Sequence, residues 1–193
     1  MLLVLLVMGL AAMLALLTGG RFTRLAEDPL TGLRWLAAAA AGQVAGSLSG
    51  SLVYASGLVC SAICIGVFLR LNVHRPGVAL LALGFGSNAL VVALNGAMPV
   101  SLSALARAGL DATPDLAADP RHEVSGAGTM LSWLGDVVPV ALPGLGQAVS
   151  PGDVLTAAGA GLVLYVGMGA GRLSVPHRAV PSWEALGKVG NAA

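Results

Sequence analysis

The stretch that decides the fold runs from Trp35 to Leu69: WLAAAAAGQVAGSLSGSLVYASGLVCSAICIGVFL. It carries thirty-five residues without one charged side chain. Drawn as a single α-helix at 1.5 Å per residue it would be about 52 Å long, whereas the hydrocarbon core of a bilayer is about 30 Å thick. The run therefore has to break, and Gly46-Ser47-Leu48-Ser49-Gly50-Ser51 supplies turn residues at its centre. Two spans result, at residues 30–47 and 51–71.

Working outward, apolar runs at 1–20, 76–94 and 153–171 bring the expected number of spans to five. Composition agrees. The chain of 193 residues is 56% hydrophobic and 10% charged, against about 25% charged in a soluble domain, and its mean hydropathy is +0.87. Too few charges exist to cover a folded surface in water. A net charge of +1 leaves no basic face, so nucleic acid is excluded as a partner, and disorder, collagen and coiled coil are excluded with it. The expected fold class is an all-α integral membrane protein. It forms a single membrane domain, 1–193, with five transmembrane helices, a structured external loop over 95–152 and a cytoplasmic tail over 172–193.

Arginine counting tests the break and orients the chain. With five spans, Arg21, Arg24, Arg34, Arg70, Arg75, Arg172, Arg178 and Lys188 fall on one side, and Arg107 and Arg121 on the other. With Trp35–Leu69 as one span the split becomes even. Basic residues are retained on the cytoplasmic side, so the five-span reading places the N-terminus outside and the C-terminus in the cytoplasm of a bacterial inner membrane. The first run is read as an uncleaved span, because its basic residues, Arg21 and Arg24, follow it; a secretory signal has them in front.

In lipid, helices associate by close backbone approach and interhelical hydrogen bonds. Gly42, Gly46 and Gly50 recur every four residues along the second span, and Gly77, Gly84, Asn88 and Asn95 share a stripe of the fourth. These glycines are expected to pack helices. Ala157, Gly161 and Gly169 form a similar face on the fifth span. Asn88 must find partners within the membrane. It reads first as interhelical glue, with Gln43, Ser47 or Ser56 as candidates, and second as a ligand contact.

The external loop is too long for a plain connection. Asn95-Gly96 and Pro99 stop the fourth span, and Ser101 starts a short helix to about Ala108. The segment 111–128 is polar, and 130–142 turns apolar again, as an interfacial or re-entrant segment with Trp133 at headgroup level. Asp136 sits inside that apolar segment, where it either binds a cation, a basic partner or a lipid headgroup, or caps amides and points at water. Ser150-Pro151-Gly152-Asp153 reads as an N-cap, an N1 proline and an N3 acid that open the fifth span.

Catalytic chemistry finds little footing. No ionisable group lies at the centre of a span, which argues against an ion-coupled carrier. His74, His122 and His177 all lie outside the spans, and His122 is on the opposite face from the others, so no bis-His haem fits. Cys60 and Cys64 read as small core residues. In Asn72-Val73-His74-Arg75-Pro76-Gly77, a tight cytoplasmic turn, the basic side chains would meet anionic lipid heads. No cofactor, no metal and no catalytic residue is expected; Asn88, Asn95 and Asp136 are the candidate ligand contacts, and Gly42, Gly46, Gly50 and Gly84 the candidate packing residues.

Five clusters carry a resemblance: Gly19-Gly20-Arg21, Asn72-Val73-His74-Arg75-Pro76-Gly77, Asn95-Gly96-Ala97-Met98-Pro99-Val100-Ser101, Leu134-Gly135-Asp136-Val137-Val138-Pro139 and Ser150-Pro151-Gly152-Asp153. In this order they resemble an uncharacterised bacterial multi-pass membrane family, a domain of unknown function. The resemblance implies that Asn95, Met98, Pro99, Asp136 and Asp153 cluster at the outer face, and it implies no activity. Similar proteins carry two glycines after the asparagine, where this chain has Gly96 and then Ala97. The function expected is that of a non-enzymatic accessory or scaffolding subunit, with the lipid bilayer and other membrane subunits as partners. The alternative is a small-molecule or lipid transporter with a polar site near Asn88 and the external cap.

Overall fold

The computed structural model describes residues 2–47, 51–110 and 121–169. Over these residues the protein is mostly helical. Five longer helices, α1 (Leu2–Leu17), α3 (Leu33–Ser47), α4 (Ser51–Leu71), α5 (Val78–Asn95) and α7 (Pro151–Gly167), are joined by two short ones, α2 (Arg24–Glu27) and α6 (Leu102–Arg107). The expected break in Trp35–Leu69 is present. α3 ends at Ser47, α4 begins at Ser51, and the two lie side by side.

Partner residues fix the directions. Gly42 of α3 meets the Gly57 carbonyl of α4, while Gly32, just before α3, meets Leu71 at the far end of α4, so the pair is antiparallel. Gly84 meets Gly152 and Gly77 meets Gly159, so α5 and α7 are antiparallel as well. Val7 and Ala11 of α1 meet Gly161, and Ala15 meets Met168, so α1 runs parallel to α7. α7 thus lies between α1 and α5. The α3–α4 hairpin joins them mainly beside the α4–α5 turn, where Phe68, Leu69 and Val78 cluster with Trp35, Leu81 and Val163.

Helix ends fall short of the apolar runs for local reasons. The Thr18 hydroxyl donates back to the Leu14 carbonyl and Gly19 turns left-handed, which closes α1. Gly96 caps α5 in the left-handed region and donates to Val92 O, as its sequence position led us to expect. α5, with 18 residues, is long and apolar enough by itself to cross a membrane; α1, the Val59–Leu71 part of α4, and α7 are apolar but shorter. Large apolar side chains nevertheless face outward along the helices, among them Leu5, Leu10, Val44, Val59, Ile63, Leu83 and Leu162. Cys60 is exposed and Cys64 half-buried, so they are not the core residues expected.

The cap between α5 and α7 departs from an all-α fold. β1 (Met98–Val100) pairs in parallel with β2 (His122–Val124), and β3 (Val138–Val140) pairs antiparallel with β4 (Gln147–Val149). The apolar segment expected over 130–142 is a 3₁₀ turn (Ser132–Leu134) followed by β3, with Trp133 exposed. The reason is visible in its sequence: Val137, Val138 and Val140 are β-branched, and β-branched residues favour strands. α6 is where it was expected, with the Ser101 hydroxyl accepting from Ala104 N.

Candidate functional site at the cap

The polar residues singled out in the sequence gather at the cap end of the bundle, in three connected sets. The first is the start of α7. Ser150 and Asp153 form a complete capping box: Ser150 Oγ accepts from Asp153 N at 2.9 Å and Asp153 Oδ2 accepts from Ser150 N at 3.1 Å. Asn88 reaches across from α5 and completes it. Its Nδ2 donates to Asp153 Oδ1 at 2.8 Å, and its Oδ1 accepts from Ser150 Oγ at 2.9 Å. Asn88 is therefore interhelical glue, and its partners among the described residues are the capping residues of α7; the side chains of Gln43, Ser47 and Ser56 lie outside the described structure. The close approach that allows this comes from Gly152, where any Cβ would collide with the Asn88 amide.

The second set anchors the turn after β2. Asn95 Nδ2 donates to the carbonyls of Val91 and Met130, each at 2.9 Å, and its Oδ1 accepts from Met130 N at 2.8 Å. This clamp sits beside Leu131, whose φ of +51° is left-handed in a residue that carries a Cβ. Such backbone persists only where its surroundings hold it. Asn95 also lines an open groove of about 360 Å³ with Glu123, Thr129 and Met130.

The third set surrounds Asp136. Its backbone brackets β1 on the edge opposite β2: Asp136 N donates to Pro99 O at 2.8 Å, and Ser101 N donates to Asp136 O at 3.0 Å. Gly135 permits the approach, since a Cβ there would strike the Pro99 carbonyl. The carboxyl is buried, at 6% exposure, and does not point at water. Its Oδ2 lies 3.7 Å from His122 Nε2, which arrives from β2. That distance suits an ion pair when the imidazole is protonated and is long for a hydrogen bond. Burial pushes the Asp136 carboxyl up from 3.8 to about 7; Asp153 adds to the rise, while His122 and the chain's amino terminus oppose it. Among the described residues no group of His, Cys, Asp and Glu is arranged to hold a metal.

Of the expected packing residues, Gly42 and Gly84 stand at helix contacts. Gly46 lies in α3 with surroundings outside the described structure, and Gly50, His177 and the tail 172–193 lie outside the described residues. Gly159 was missed, although it stands seven residues after Gly152, as Gly84 stands seven after Gly77.

The opposite end holds the residues that sequence reasoning passed over. Asn72 is fully buried. Its Oδ1 accepts from Thr31 N at 2.9 Å, and its Nδ2 donates to Thr31 O at 2.9 Å and Phe68 O at 2.8 Å. Arg75 does not reach outward as expected. Its guanidinium forks onto the Asp28 carboxylate at 2.6 and 3.1 Å and also donates to the Asp28 and Pro29 carbonyls. A helix-breaking Asn72-Val73-His74-Arg75-Pro76-Gly77 turn opposite an acid in the preceding loop was the available signal.

No curated protein and no solved structure matches the chain. A family model does match, over residues 34–165, a span that takes in every motif cluster named above except Gly19-Gly20-Arg21. The match covers more than half of the chain, which therefore belongs to this family of unknown function, DUF5317.

Proposed function

We propose that the protein is a multi-pass membrane protein in which α1, α3, α4, α5 and α7 are five spans. The cap lies outside, and the chain after α7 lies in the cytoplasm of a bacterial inner membrane. Its role is that of a non-enzymatic accessory or scaffolding subunit. One observation carries this reading: apolar side chains face outward along all five helices, while Asn88, Ser150 and Asp153 at one end and Asn72 and Arg75 at the other make contacts that hold the fold. A water-soluble monomer rarely exposes apolar surface so continuously. The short helices are consistent with spanning, since four of the five are about 22 to 27 Å long by residue count and their flanking turns extend them.

Asn88 was the polar site of the transporter alternative. Both ends of its amide are committed to Ser150 and Asp153, which favours a framework over a substrate path. Purification in mild detergent followed by mass spectrometry tests the proposal. A co-purifying membrane protein is the expected result. A strictly monomeric chain with no companion refutes the subunit role, and reporter fusions placing Met1 and Ala193 in the same compartment refute the five-span topology.

A further inference from the structure

Where α2, the α4–α5 turn and the end of α7 meet, the bundle opens into a cavity of about 520 Å³. That volume is in the range of small-molecule sites. One wall is charged, with Arg24, Glu27, Asp28 and Arg75; the other is apolar, with Val163 and Val166 of α7. The charges are not all used by the fold. Arg24 spends one nitrogen on the Gly169 carbonyl at 3.0 Å, leaving the rest of its guanidinium available. Arg75 is held by Asp28, yet its Nε finds no acceptor among the described residues. Glu27 has no hydrogen-bond or ion-pair partner among the described residues. The cavity thus presents guanidinium donors and a free carboxylate side by side, above an apolar wall.

We propose that this cavity binds an ammonium–phosphate zwitterion, supplied as the headgroup of an aminophospholipid. The phosphate lies toward Arg24 and Arg75, the primary ammonium toward Glu27 and Asp28, and the acyl stem along Val163 and Val166. Guanidinium groups suit phosphate oxygens, and a primary ammonium offers three N–H donors to carboxylates. A purely anionic headgroup would set its charge against Glu27 and Asp28. A choline headgroup would bring no N–H donor to them. The inference rests on the membrane reading, which puts this end of the helices at the level of the lipid heads.

The test uses the full chain, delipidated in detergent, titrated with phosphatidylethanolamine, phosphatidylcholine or phosphatidylglycerol of one acyl composition, and separately with free phosphoethanolamine. Thermal stability and native mass spectrometry give the readout. Phosphatidylethanolamine is expected to half-saturate at a concentration at least fivefold below the other two lipids. Glu27→Gln, a change at an exposed and unpartnered side chain, is expected to abolish that preference without lowering stability in the absence of lipid. Equal response to the three lipids, or a preference that survives Glu27→Gln, overturns the proposal. Free phosphoethanolamine acting at the same concentration as the lipid overturns the lipid source. Extraction of the chain from membranes by alkaline carbonate refutes the membrane reading itself, independently of any headgroup preference.

Discussion

Asp136→Asn is the sharpest probe of the cap. The carboxyl is buried and its pKa stands at about 7 in the folded protein, against 3.8 ordinarily. A difference of that size is worth roughly 4 kcal/mol at 1.36 kcal/mol per pH unit. The sign follows from proton binding. Between pH 4 and 7 the unfolded chain has released this proton and the folded one still holds it, so stability falls as pH rises through that window and levels off above it. The contribution is complete below pH 4 and gone above about 7. Asparagine has nearly the same shape and does not titrate. Relative to the variant, the wild-type chain should lose roughly 2 kcal/mol between pH 5 and 7, or about 4–8 °C in midpoint for a chain of this size. Asp153 and His122 both act on this carboxyl, so the comparison reads its removal with those couplings included. Thermal unfolding in one detergent at four or five pH values measures it. Curves for wild type and variant that stay parallel from pH 5 to 8 would mean that Asp136 ionises as an ordinary surface acid, and the burial argument would fail.

Three further outcomes are expected. Asn88→Leu leaves Ser150 Oγ and Asp153 Oδ1 short of a partner and should cost about 2–4 kcal/mol. In a double-mutant cycle its effect should add less than fully to that of Ser150→Ala, and strict additivity would show that the two are not coupled. Gly84→Ala would place a Cβ 2.7 Å from Thr156 N, whereas Gly86, one half-turn away, has open space; detergent melting should show a loss of about 1–3 kcal/mol for Gly84→Ala and a neutral or slightly positive change for Gly86→Ala. Asn72→Ala removes three hydrogen bonds, one buried and two part-buried, and should cost roughly 3 kcal/mol, with faster proteolysis in the segment before α3; equal cleavage rates would count against a clamp.

How much was legible in the sequence depended on how local the signal was. The break at Gly46–Ser51 was legible because length alone forbids one helix there. The capping box at Ser150–Asp153 was legible because both partners lie within four residues. The stripe through Gly77, Gly84 and Asn88 predicted a close helix contact but not its partner, since the partner glycines, Gly152 and Gly159, belong to a segment about seventy residues later. Nothing local announced that Asn88 would complete a capping box. The strands of the cap were hidden for a related reason. Three-residue strands such as Met98–Val100 have no measurable periodicity, and their pairing with His122–Val124 is a tertiary event. Asn72 was overlooked because an asparagine in a turn is ordinary, and only the position of Thr31 makes it a buried clamp.

The distribution of polar contacts explains how helices this short can be held together. Between the ends, α5 and α7 meet through glycine, Gly77 against Gly159 and Gly84 against Gly152, with Leu81, Thr156 and Val163 packed beside the contacts. Asn88 fixes the register at one end by reading the capping box of α7. At the other, Arg24 holds the Gly169 carbonyl just beyond α7. The α3–α4 hairpin is held near its turn with α5 by Asn72, Arg75 and the Phe68–Val78 cluster. Val44, Val59 and Ile63 of the hairpin face outward. A bundle pinned at its ends and glycine-packed between them can keep its shape while one hairpin contacts lipid or a neighbouring subunit, which is the mechanical requirement of the accessory role proposed above.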